Sequence, residues 1–298
     1  MRNKIVVTGA SGFLGSHLVN RLKIDERFTV YALSSKGDEL QKNNTEERVV
    51  YRHKDVFLTD DAMLRDAIIV NCAFPRNSTG TGMADGLRYI QQLFDRAVES
   101  GAEAIINISS QSVYSAQRTE AATEETPVCL ESPYAVGKYA TELMLESACR
   151  GSKTKFTNLR MASLIGPGFD QRIVNRFVLK ILNREAVVVA KQEKEMGFLD
   201  VEDAVSAILA LIVTPIELWK LFYNSGNGRG YTIEEIFSEV SMVVREKTGI
   251  VATATFEDKY DCSSSRLSYE GLHFDTGFEP LITLHDSVER IVDYILKK

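Results

Sequence analysis

The chain has 298 residues, a mass of 33.3 kDa, a formal net charge of −6 and a pI near 5.4. A hydrophobic share of 44% and a charged share of 26% describe a globular chain long enough to bury a large core, and exclude a disordered one. The acidic balance, with no dense Lys/Arg block, argues against nucleic acid as a partner. The longest nearly unbroken apolar run, Ala204 to Val213, falls well short of the roughly 20 residues that a bilayer span requires. The first apolar stretch ends at Thr8-Gly9, too short for a signal-peptide core, so a cytoplasmic location without a membrane partner is expected. Cys72, Cys129, Cys149 and Cys262 form no Cys-x-x-Cys pair, and His17, His53, His273 and His285 have no ligand spacing. Neither a metal site nor a disulfide framework is expected.

In chain order, Ile5 to Val7 is the first predicted strand and Phe13 to Leu22 the first helix. Strands follow at Thr29 to Leu33, Val49 to Tyr51 and Ile68 to Val70. Leu87, Ile90, Phe94 and Ala97 share one helical face, Ile105 to Ile108 is the next strand, and Tyr134 to Arg150 another helix. Strands this apolar are covered on both faces. Their alternation with helices predicts an α/β fold, a Rossmann-like doubly wound parallel sheet over residues 1–165. Gly166-Pro167-Gly168 punctuates the chain. Beyond it, Ile173 to Leu182 reads as helix, Ala186 to Ala190 as strand and Val201 to Val213 as helix. Thr232 and Glu235 have the spacing of a capping box, and Val288, Ile291, Val292, Ile295 and Leu296 follow helical periodicity. Residues 166–298 are therefore expected to form a smaller α+β substrate region interleaved with the first.

Four motifs carry chemistry. Thr8-Gly9-Ala10-Ser11-Gly12-Phe13-Leu14-Gly15 follows the first strand and opens the first helix. Glycines 9, 12 and 15 suit a tight turn, close approach to a pyrophosphate, and close helix–strand packing, so a dinucleotide site is expected. The bland alternative is a ligand-free turn. The second strand ends in Ser34-Ser35-Lys36, with no carboxylate at its tip. Two hydroxyls and an ammonium suit a 2′-phosphate better than a bare ribose, which favours NADP over NAD. Tyr134 and Lys138, at i and i+4, share a helix face. An ammonium beside a phenol favours the phenolate and makes the tyrosine an acid/base; the alternative is an exposed helix face. Finally, Ser109-Ser110 ends an apolar strand, where open α/β sheets bind ligands, and the Ser110 hydroxyl can hydrogen-bond a substrate oxygen.

In this order the four motifs resemble the extended short-chain dehydrogenase/reductase family, in its NAD-dependent epimerase/dehydratase branch. Leu159-Arg160, Gly166-Pro167-Gly168, Phe198-Leu199-Asp200-Val201-Glu202-Asp203, Asn224-Ser225-Gly226 and Thr276-Gly277-Phe278-Glu279-Pro280 extend the resemblance over nearly the whole chain. It implies Ser110, Tyr134 and Lys138 as catalytic residues. It further implies cofactor contacts from Gly9, Ser11, Gly12, Phe13, Leu14, Gly15, Ser34, Ser35, Lys36, Asp55, Val56, Cys72 and Ala73, besides Tyr134 and Lys138. Gln111, Ser112, Ser163, Arg172, Arg176 and Arg266 are the substrate candidates.

The departures narrow the chemistry. Where the family's dehydratases carry an Asp-Glu pair, this chain has Gln111 and Ser112, and an amide exchanges no proton. Ser163 replaces an Asn that helps hold nucleotide sugars, and Met196-Gly197 stand where an Arg is usual. The expectation is an NAD(P)-dependent 4-epimerase or 4-ketoreductase of a nucleotide sugar rather than a dehydratase. The alternatives are a reductase of a small carbonyl compound and a non-catalytic dinucleotide sensor. The helices Leu87 to Ala97 and Val136 to Met144 have apolar faces that either pair two copies into a homodimer or cover the sheet.

Overall fold

The computed structural model describes residues 3–76 and 80–298. β1 (Asn3–Thr8) leads through a tight turn into α1 (Phe13–Leu22); β2 (Phe28–Ser34), α2 (Gly37–Lys42) and β3 (Val49–His53) follow. A single turn, α3 (Asp61–Leu64), precedes β4 (Ala67–Asn71), α4 (Thr81–Glu99), β5 (Ala104–Ser110), α5 (Pro133–Cys149) and β6 (Lys155–Met161). Next come β7 (Ser163–Ile165), α6 (Ile173–Leu182), β8 (Val187–Lys191), β9 (Met196–Asp200) and α7 (Val201–Val213). β10 (Phe222–Ser225), β11 (Gly230–Tyr231), α8 (Ile233–Thr248), β12 (Ala254–Asp258), α9 (Glu270–Thr276) and α10 (Leu284–Leu296) end the chain.

Seven strands form one parallel sheet in the order β10-β6-β5-β4-β1-β2-β3. The inner strands are buried on both faces, and their side chains alternate between two cores. Ile5 and Val7 of β1 and Ile68 and Val70 of β4 enter one core, whereas Val6 and Ile69 enter the other. The strand order reverses between β1 and β4, which opens a crevice at their carboxyl ends, the usual ligand position in such sheets.

β6 lacks an apolar run, so periodicity does not reveal it. Its Thr157, Asn158 and Arg160 are buried among apolar neighbours. Asn158 Oδ1 accepts from Asn107 Nδ2 at 2.9 Å, and Arg160 pairs with Glu142 of α5. Partnered polar groups can occupy a core that their composition alone would not suggest.

After β6 the chain leaves the large sheet and later returns to it. α7 packs on α1, and β10 pairs with β6 as an edge strand. The smaller region has the sheet β11-β9-β7 and the parallel pair β8–β12. Its own core joins α6, α8 and α10 through residues such as Val178, Phe198, Val240 and Val288. The Thr232–Glu235 capping box forms, and a second one joins Thr283 and Asp286 at the start of α10. Among the described residues no helix is long and apolar enough to cross a membrane, and no three His, Cys, Asp or Glu side chains gather as metal ligands.

Candidate active site

The turn after β1 is shaped for close approach. Gly9 has φ 65°, and a Cβ there would come within 2.8 Å of the Ala73 amide nitrogen, across the crevice between β1 and β4. A Cβ on Gly15 would run into the Gly9 carbonyl. Gly12 is the N-cap of α1 and no side chain caps that helix, so its first amides remain for an anion. Gly9, Ser11, Gly12, Ser34, Ser35, Cys72 and Ala73 line a cleft of about 450 Å³. These features fit a dinucleotide, its diphosphate at the start of α1.

Several expected cofactor residues sit elsewhere. Lys36 is exposed at the N-cap of α2, and its backbone amide donates to Ser34 Oγ at 3.1 Å. Lys54, which the motifs do not point to, lines the cleft instead. Asp55 and Val56 lie on the same short turn but not on the cleft wall. The Asp55 carboxylate faces outward and pairs with Lys54 Nζ at 2.9 Å, and Val56 packs against the core.

A larger cleft of about 640 Å³ adjoins the first, and the two share Cys72 and Phe74. Ser110, Tyr134 and Lys138 all line it, as do Phe13 and Leu14. Ser132 caps α5 by accepting from the Ala135 amide at 3.1 Å, with Pro133 in the first turn, which sets Tyr134 at the mouth. The Tyr134 ring stands edge-on to Phe74, with centroids 5.3 Å apart. Lys138 is buried; its Nζ donates to the Ile108 carbonyl at 2.7 Å and lies 4.2 Å from the Phe74 centroid. Burial pulls its ammonium down to about 7, against weaker opposition from Cys72 and Glu142. Ser110 Oγ accepts from the Ser112 amide at 3.2 Å and the Ser112 hydroxyl at 3.0 Å. Its own hydrogen is therefore left to donate into the cleft.

A buried side-chain ladder joins the end of β1 to α5. Thr8 donates to Asn71 (2.7 Å), Asn71 to Asn107 (3.0 Å), and Asn107 to Thr141 (3.0 Å). Thr141 in turn donates to the Lys138 carbonyl at 2.8 Å. Each link fixes one strand or helix end against the next.

Four of the substrate candidates face the larger cleft: Gln111, Ser112, Ser163 and Arg172. Gln111 Nε2 donates to Ser163 Oγ at 3.1 Å, and its Oε1 accepts from Arg118 at 3.2 Å. Arg176 and Arg266 are not brought there. Arg176 points outward from α6, one turn beyond Arg172. Arg266 is held outside by Glu195, with Nε 2.9 Å from its carboxylate. Arg76, Arg118, Glu131 and Phe169 complete the wall and were not singled out by the motifs. The available signals were weak: Arg76 closely follows the strand at the crevice, and Phe169 directly follows Gly166-Pro167-Gly168. Arg118 has no sequence signal. Glu131 is the sole carboxylate lining the cleft among the described residues, and it accepts from the Ser115 hydroxyl and the Ala116 amide.

Comparison with known proteins gives the family and the fold. The profile of the NAD dependent epimerase/dehydratase family matches residues 5–220. Protein CapI of Staphylococcus aureus is 25% identical over 99% of this chain and 98% of its own length. The dTDP-D-glucose 4,6-dehydratase of Mus musculus is 21% identical over 99% of this chain and 89% of its own. The structure of UDP-glucuronic acid 4-epimerase from Bacillus cereus in complex with NAD superposes with a TM-score of 0.83 at 20% identity, covering 99% of both chains. The profile match spans well over half of the sequence, and the chain is thereby an enzyme of the NAD dependent epimerase/dehydratase family, of the extended short-chain dehydrogenase/reductase type.

Proposed function

We propose that the protein moves hydride between a nicotinamide dinucleotide and a carbinol carbon of a nucleotide sugar, as a 4-epimerase or 4-ketoreductase. The observation that carries this reading is the gathering of Ser110, Tyr134 and Lys138 on a cleft continuous with the glycine-turn cleft. The dinucleotide, when bound, supplies the hydride acceptor and donor. Tyr134 takes the hydroxyl proton as the carbinol is oxidised and returns it to the alkoxide on reduction. Ser110 donates its free hydrogen to the same oxygen and so aligns it with Tyr134. Lys138 would hold the cofactor ribose from the buried side of the helix.

Dehydration fits this cleft poorly. Elimination of water needs an acid/base pair beside the reacting sugar. Gln111 is an amide held between Ser163 and Arg118, and Glu131 is engaged by Ser115 and Ala116. The test is incubation with NAD or NADP and a panel of UDP- and dTDP-hexoses, reading the 4-epimer, and with NADH or NADPH and the matching 4-keto sugars, reading the reduced product, by chromatography. Tyr134→Phe should lower turnover by about two to four orders of magnitude while keeping dinucleotide affinity. Wild-type turnover in Tyr134→Phe, or a 4,6-dehydrated product, would overturn the reading.

For the cofactor we propose a preference for the 2′-phosphate. Ser34 and Ser35 line the cleft, Asp38 and Glu39 are exposed on α2, and the acid that lines the cleft among the described residues, Asp85 of α4, pairs with Arg88 at 2.9 Å. Lys36, two residues beyond Ser34 at the start of α2, and Lys54 on the cleft wall are the two ammonium groups that would meet a 2′-phosphate. Lys36→Ala should weaken NADP binding about 10- to 100-fold, the worth of one charge-assisted hydrogen bond, and leave NAD nearly unchanged. Paired titrations check this, and tighter wild-type binding of NAD than NADP would sink it.

A further inference from the structure

We infer that Arg76 and Arg172 form a clamp for the diphosphate of the substrate, an inference that rests on the nucleotide-sugar reading above. Phe169 organises the pair. Its ring stacks on Phe13 with centroids 4.2 Å apart, and the Arg76 and Arg172 guanidinium carbons lie 5.1 and 5.0 Å from its centroid. Stacking on a ring fixes the guanidinium planes and leaves their N–H edges for an acceptor.

The two cations have no counter-charge. Among the described residues neither side chain pairs with a carboxylate, and residues 1, 2 and 77–79 contain no acid. Arg172 Nε is buried with no hydrogen-bond partner. Burial, with Arg76 as the next cause, holds this guanidinium at about 10, below its ordinary value. Two like charges kept together in a partly dry wall stabilise a doubly charged anion and cost energy without one. Arg172 is also the N-cap of α6, whose first turn has no side-chain cap, so the helix start adds partial positive charge at the same place.

The position assigns the anion to substrate rather than cofactor. Arg76 and Arg172 line the cleft that holds Ser110 and Tyr134. Neither lines the cleft of Gly9, Ser11 and Gly12, where the cofactor diphosphate has its own helix start. Of the other two arginines expected to meet substrate, Arg176 points outward and Arg266 is engaged by Glu195.

The experiment is calorimetric titration of wild type, Arg76→Gln and Arg172→Gln with UDP, uridine and NAD. Wild type should bind UDP at least about tenfold more tightly than uridine. Each substitution should weaken UDP about 10- to 100-fold and leave uridine and NAD within about threefold. Retained NAD binding also reports an intact fold. If a Gln variant loses its fold, the Lys variant at that position keeps charge and packing, and a UDP loss of about threefold or more is expected from the missing fork. Unchanged UDP affinity in the variants overturns the clamp, and so does a parallel loss of NAD, which assigns the pair to the cofactor. A third overturning result is a wild-type preference for UDP-glucuronic acid over UDP-glucose that vanishes in the variants while UDP binding is unchanged, because it assigns the pair to a sugar carboxylate. Wild type that binds neither UDP, dTDP nor GDP removes the nucleotide-sugar reading itself, a different outcome from variants that bind as wild type does.

Discussion

Lys138 shows how one side chain can be costly to the fold and useful to the site. Its ammonium is drawn from an ordinary value of 10.5 down to about 7 because it is buried. Between those values the unfolded chain binds the extra proton and the folded chain does not, so stability rises with pH through this window. The penalty is complete below about pH 7 and has gone once the pH exceeds the unfolded value. Lys138→Met removes it. The variant should gain stability relative to wild type at pH 7, and the gain should shrink by about 2 kcal/mol by pH 9. Urea unfolding of both proteins at the two pH values checks this; a difference independent of pH would contradict it. The same burial places Lys138 against the wall that Tyr134 shares, a position that an exposed lysine would not hold.

Between elements, the buried pair Arg160–Glu142 does comparable work. Both side chains are less than a tenth exposed, with Arg160 Nη2 2.7 Å from Glu142. Ser109 of β5 donates to Glu142, and Arg160 Nη1 donates to the Tyr114 hydroxyl at 3.0 Å. The end of β5, which carries Ser110, is thus tied to α5, which carries Tyr134 and Lys138, through β6. Glu142→Gln leaves a buried, charged guanidinium without its counter-charge and should cost about 3–5 kcal/mol, whereas the double replacement Glu142→Met, Arg160→Met should recover much of that loss. Denaturant midpoints of the three proteins decide it. A single variant within about 1 kcal/mol of wild type would show that the pair is not a structural requirement.

At the scale of the whole molecule, the helical faces read from the sequence divide their roles. Ile90, Leu93, Phe94 and Ala97 of α4 are buried in the core beneath the sheet, so that face covers the strands. Val136 and Leu143 of α5 remain half exposed, beside α4. We expect this uncovered strip to pair two copies of the chain about a two-fold axis. Sedimentation at micromolar concentration should show a species of twice 33.3 kDa; Val136→Glu should return it to the monomer. A wild type that sediments only as monomer removes the expectation.

The sequence by itself determined the elements whose signal is local. α1, α6 and α7 begin and end where periodicity puts them, the box at Thr232 forms, and the glycines at 9 and 15 stand where only a missing Cβ fits. Spacing alone was enough to bring Tyr134 and Lys138 to one face, because i and i+4 are neighbours on any helix. What tertiary structure decided is what depends on partners distant in the chain. β6 exists as a core strand because Asn107 and Glu142 partner its Asn158 and Arg160, and neither partner is visible from β6 itself. Lys36 and Lys54, and likewise Arg266 and Arg76, are indistinguishable by composition. The short turn after β3 puts Lys54 on the glycine-turn cleft, Glu195 holds Arg266 outside the larger one, and Phe169 sets Arg76 beside Arg172 within it. Charge and residue type are local properties, whereas the wall a side chain lines is fixed by packing across the whole fold.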